Sequence, residues 1–105
     1  MLEYHLFFGR DIAGRPPVTD PEWANFTARV VTAQLPAGFT EFDAEGQWQN
    51  PATHRISREP TKVIIVAVPD TPATAAAIAA VKDAYRTLFH QQTVGTTVAP
   101  VCGAF

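Results

Sequence analysis

Phe39-Thr-Glu-Phe-Asp-Ala-Glu-Gly-Gln-Trp48, a turn region at Asn50-Pro51, Arg55-Ile-Ser-Arg-Glu-Pro-Thr-Lys62 and the run Val63-Ile-Ile-Val-Ala-Val68 together decide the fold. They read as a long β-hairpin whose far arm, all branched or small and apolar, fits a strand covered on both faces. If Gln49 to His54 closes the turn symmetrically, Gln47 lies opposite Ile56 and Glu45 opposite Arg58, with Asp43 diagonal to Lys62. A register one residue away sets Glu45 against Glu59, and like charges directly opposed cost up to about 1 kcal/mol, so the first is preferred. It collects Asp43, Glu45, Gln47, Arg58 and Lys62 on one face, continuing into Ile64 and Val66. Phe42, Ala44, Trp48, Val63, Ile65 and Ala67 share the other, which reads as the helix-packed side.

Outward from the hairpin, Glu3 to Gly9 is aromatic and branched and predicts a first strand. Asp11 to Thr19, with Gly14, Pro16 and Pro17, predicts an irregular loop and a candidate lid. Asp20-Pro21-Glu22 opens a helix with Asp20 as cap, Trp23, Phe26 and Val30 on its buried stripe, and Pro36 and Gly38 as its end. Thr71-Pro72 opens a second helix running to Phe89, with Ile78, Val81, Tyr85 and Leu88 facing the core. Val94 to Phe105 predicts the last strand.

The order β-α-β-β-α-β in one domain, residues 1–105, predicts an α+β ferredoxin-like sandwich with two helices on one antiparallel sheet. The first and third strands would be the inner ones. The uncovered face is where such domains bind ligands or pair, so a homodimer of the dimeric α/β-barrel kind is expected.

Composition narrows the function. Eight Lys and Arg against ten Asp and Glu give a formal charge of −2, which offers no basic field for nucleic acid. The single cysteine, Cys102, excludes an internal disulfide and reads as a small apolar residue of the last strand. No apolar run approaches the roughly 20 residues that span a bilayer, and no basic leader opens the chain, so the chain as it stands is expected to be cytoplasmic and not membrane-bound. Three scattered histidines have no ligand spacing, so no metal or other cofactor is expected. His54 and His90 read as structural.

The chemistry therefore falls to acid and base groups. Glu45 and Glu59 are candidate general bases, with His5 as an alternative, because a carboxylate or imidazole in a cleft can take a proton. Arg10, Arg58 and Lys62 are candidates to hold an anionic oxygen, Gln47 to orient substrate and Trp48 to wall the pocket. Pro60 interrupts the ladder and predicts a bulge beside Glu59. The same side chains also fit cross-strand ion pairs on a solvated face.

Leu6-Phe7-Phe8-Gly9-Arg10, Glu45-Gly46-Gln47-Trp48, Arg58-Glu59-Pro60-Thr61-Lys62, the Trp23…Phe26 helix and Gln91-Gln92-Thr93-Val94 resemble an uncharacterised bacterial family, a domain of unknown function. The resemblance covers nearly the whole chain. It implies recurring polar residues at Arg10, Gln47, Glu59 and Lys62, and members that carry a lipoprotein-like leader, so a longer exported precursor is compatible with it. The carboxylates and cations converging on one sheet face, rather than the resemblance, lead to the expectation of a cofactor-independent isomerase, cyclase, lyase or hydrolase acting on a small organic substrate. The alternative is a non-catalytic ligand-binding or homo-oligomeric assembly domain.

Overall fold

The computed structural model describes residues 1–105. Strands β1 (Leu2–Gly9), β2 (Thr40–Gln49), β3 (Ile56–Val68) and β4 (Gly95–Pro100) form one sheet in the order β2-β3-β1-β4, with every neighbouring pair antiparallel. The first helix covers 20–34 and the second Pro72–Phe89. β4 is shorter than the expected Val94 to Phe105, and Cys102 lies beyond it, exposed, rather than within a strand.

The hairpin register differs from the expected one by two residues: Gln47 faces Arg58, Asp43 faces Lys62 and Gln49 faces Ile56. The turn explains it. Asn50 N–H donates to the Arg55 carbonyl, His54 N–H to the Asn50 carbonyl, and the Asn50 side chain accepts from the amides of Ala52 and Thr53, so the loop is centred later in the chain. Because the offset is even, the predicted grouping of side chains by face survives.

The assignment of those faces is reversed. Leu6, Phe8, Ile64, Val66 and Val68 share the face of Lys62 and form the core under the helices. Phe42, Trp48 and Phe7, on the face expected beneath the helices, are 44%, 53% and 39% exposed. Alternation alone could not tell the two faces apart, since β3 is apolar on both. Val63 is nevertheless buried on the open face, because Phe42 and Phe7 stand directly across from it on either side.

The core is aromatic. Phe8 meets Trp23 at 5.1 Å and Tyr85 at 4.9 Å edge-on, and Phe26 meets Tyr85 at 5.2 Å. Such pairs contribute about 0.5–1.5 kcal/mol each beyond area burial.

Both helices depart from the simple stripe. Thr19, not Asp20, caps the first: its hydroxyl accepts from Glu22 N–H while the Glu22 carboxylate accepts from Thr19 N–H, a reciprocal capping box. Residues Thr27–Val31 are π-helical, which inserts one residue into the turn, so Val31 and Leu35 rather than Val30 complete the buried stripe. In the second helix Phe89 is buried and Leu88 exposed, the last turn ending at His90 in the left-handed region, φ 53°.

The β2–β3 register runs unbroken through Pro60, which faces Glu45, and the β1–β3 register is unbroken to its last pair, Gly9 with Thr61, so the expected bulge is absent. The Pro60 carbonyl accepts from Arg10 N–H, and the Pro60 nitrogen points to that same side, where β1 ends and leaves the sheet. A proline there removes no ladder bond.

Candidate functional site

The sheet divides the expected site residues between its two faces. On the helix side, Lys62 is only 8% exposed and its Nζ lies 2.6 Å from Asp43 Oδ1. Arg10 Nε and Nη2 donate to the Val18 carbonyl at 2.8 and 2.6 Å, and Nη2 also reaches Asp20 Oδ1 at 2.9 Å. The hydrogen bond from Lys62 and its charge, with Arg10 adding to it, hold the Asp43 carboxyl below its ordinary range. These two cations are therefore already engaged by carboxylates and a carbonyl of the protein. Arg10 thereby ties the Asp11 to Thr19 loop to the sheet, and Lys62 pairs with Asp43 across β2 and β3.

Farther along that face the hairpin overhangs the helices. Arg58 Nε donates to Gln47 Oε1 at 3.1 Å and lies 3.3 Å from Glu45 Oε1, with Glu45 and Arg58 side chains both 60% exposed. Neither cavity described below is lined by Glu45, Gln47 or Arg58. Trp48 stands on the opposite, open face and lines neither cavity. His5, also on the open face, lies 3.3 Å from Glu3 Oε1, again outside both.

Glu59 is the expected site residue that meets a hollow. On the open face, where β1 ends between the first half of β3 and the start of β4, a cavity of about 420 Å³ is lined by Phe7, Gly9, Asp11, Glu59, Thr61 and the segment after the second helix, His90 to Thr93, with Gly95. The Glu59 Oε2 accepts from Asp11 N–H at 3.0 Å. Its carboxylate lies flat over Gly9, within 2.7 to 2.8 Å of where a Cβ would stand, so only glycine leaves room for it.

The floor is rigid. Tyr85 Oη donates to the Gly9 carbonyl at 2.7 Å, and burial pushes the Tyr85 phenol pKa well up, which keeps that donor in place. Gln91 Nε2 donates to the Asp11 and Phe89 carbonyls at 2.8 and 3.1 Å, and Thr61 Oγ1 donates to the Glu59 carbonyl at 3.1 Å. Gly9, Thr61, Asp11 and Gln91 carry this site, yet only as part of longer motifs do they stand out in the sequence. Strand alternation from Glu59 to Thr61, and the glycine ending the first strand, were the available signals.

A second, larger hollow of about 1110 Å³ lies at the other end of the sheet, lined mostly by apolar groups such as Leu35, Phe39, Ile65, Ala67 and Phe105. It gathers no cluster of acid or base groups. Among side chains of the whole molecule, no three His, Cys, Asp or Glu converge as a metal site. No helix is long and apolar enough to cross a membrane.

Fold and site thus define a small α+β domain, two helices on a four-stranded antiparallel sheet, with a carboxylate set in a hollow of the open face. The chain belongs to the family described as "Protein of unknown function (DUF3574)", which it matches over residues 3–105. No curated protein matches it in sequence. Among solved structures it is similar in fold to a phage SAM lyase in complex with S-methyl-5'-thioadenosine, at TM-score 0.67 and 14% identity over 93% of this chain and 79% of that one. The phage SAM lyase in its apo state gives TM-score 0.66 at 13% identity over 93% of this chain and 78% of that one. At such identity the likeness is one of fold.

Proposed function

We propose that this chain is a cofactor-independent enzyme of lyase type, built on a ferredoxin-like sandwich, that takes a small organic substrate into the hollow at Glu59. One observation carries this reading: a carboxylate fixed over Gly9 by the Asp11 amide, its second oxygen accepting no hydrogen bond from the protein, in a side chain that lines a cavity. Glu59 is the general base. Glu45 and His5, the other candidate bases, lie outside the hollow. A base held in one orientation needs no reorganisation when the proton moves, and such groups contribute typically 10²–10⁴-fold.

In the reaction Glu59 removes a proton from carbon, the C–H pair becomes a new bond within the product, and the leaving group departs with its own pair. Arg10 acts as a positioning residue, holding through the Val18 carbonyl the loop whose Asp11 amide grips Glu59, while Lys62 stays paired with Asp43 outside the hollow. The fold likeness to a SAM lyase makes S-adenosylmethionine the first substrate to try. Glu59→Gln, assayed by chromatographic detection of product across sulfonium and other activated small substrates, is expected to lower turnover at least about 100-fold without unfolding the domain. Unchanged turnover in that variant would overturn the assignment.

A second reading, an assembly domain, is favoured by the exposed Phe7, Phe42 and Trp48 on the uncovered face. There the sheet is the contact surface of a homodimer, and the hollow sits at its margin.

A further inference from the structure

The Glu59 carboxylate is held by a backbone amide and by no cationic side chain. Glu59 takes part in none of the ion pairs, because the cations flanking it in sequence alternate to the other face, Arg58 toward Glu45 and Lys62 toward Asp43. The residues lining the hollow include Asp11 and Glu59 and no Lys or Arg. Its only imidazole is that of His90.

Next to Glu59, Gln91 and Thr61 also offer acceptors. Both Gln91 amide hydrogens are committed to carbonyls and the Thr61 hydroxyl hydrogen to Glu59 O, which leaves Gln91 Oε1, Thr61 Oγ1 and Glu59 Oε1 with lone pairs to offer. Phe7, 39% exposed, adds an aromatic ring to the wall. A carboxylate beside an aromatic ring, in a wall that includes Asp11 and no Lys or Arg, selects a positive guest of low hydration.

We infer that the substrate is an onium cation, a sulfonium or quaternary ammonium compound. This rests on the reading of the hollow as the active site and names its substrate class. The chemistry fits the charge. Glu59 takes the proton, the C–H pair forms the new π bond, and the carbon–heteroatom bond breaks with its pair on sulfur or nitrogen, which leaves as a neutral sulfide or amine. Two opposite charges vanish in one step. A site drier than water favours such a step, and no anion develops that would call for Arg or Lys in the wall.

The test is an amide NMR titration of the isotope-labelled chain with trimethylsulfonium, S-adenosylmethionine, S-methyl-5'-thioadenosine as the neutral thioether, and inorganic phosphate. The two sulfonium probes are expected to shift the Gly9, Asp11, Gln91 and Thr93 amides and S-adenosylmethionine to bind at least about tenfold tighter than the thioether, roughly the 1.4 kcal/mol of one decade. Glu59→Gln should weaken sulfonium binding by a similar factor with an unchanged spectrum elsewhere, and Glu59→Asp should keep part of it. If the thioether or phosphate occupies the same amides as well as the sulfonium probes do, the charge inference falls and the hollow stands as the site. If no probe moves these amides, or Glu59→Gln leaves sulfonium affinity unchanged, both fall together.

Discussion

Gly9 shows how a single side chain's absence organises this domain. Its missing Cβ is the space that the Glu59 carboxylate occupies, so Gly9→Ala should displace Glu59 even though the backbone there needs no special φ. The methyl meets the far end of a flexible side chain and no backbone, so Tm should change little while sulfonium binding falls in the same variant. Thermal unfolding and titration of one sample read both effects.

Tyr85→Phe removes the donor to the Gly9 carbonyl and should cost about 1–3 kcal/mol, seen as a lower Tm. Glu22 is a pH-sensitive counterpart. Hydrogen bonds from Arg15, then from the Thr19 amide, bring its pKa from 4.5 down to about 2, so its contribution to stability is present above about 4.5 and is lost as pH falls toward 2. Glu22→Gln should therefore lower Tm at pH 6, and the difference should close by pH 2.

At the scale of elements, the sequence carried the strands, helices and order plainly, because alternation, capping pairs and the Val63 to Val68 run each have a local cause. It carried the faces poorly. With β3 apolar on both sides, only the packing of Phe8 against Trp23 and Tyr85 decides which side the helices cover. The charged overhang looked like a site for the same reason that it exists: opposite charges pair across strands whether or not a ligand is near. Glu45 and Arg58 do pair, diagonally rather than directly opposite as expected, and at 60% exposure each. Replacing either by Ala should change stability by less than about 1 kcal/mol and leave binding at the hollow intact, as unfolding and titration would show. Glu59 was visible as a candidate, but its cradle was not, since Gly9, Asp11 and Gln91 come together only when β1 and the end of the second helix meet.

The whole molecule presents one covered sheet face and one bare one, and the bare one holds both the hollow and the exposed aromatics. Phe42→Lys, away from the hollow, separates the two uses of that face: under the assembly reading light scattering should show a dimer that this substitution dissociates. Under the enzymatic reading binding at Glu59 persists in the variant. The central claim is that ligand enters at Glu59 rather than along the charged overhang, and a crystal structure with S-methyl-5'-thioadenosine or a sulfonium analogue addresses it most directly. Density against Phe7, Glu59 and Thr61 is the predicted result; density against Glu45, Gln47 and Arg58, with the hollow empty, would contradict it.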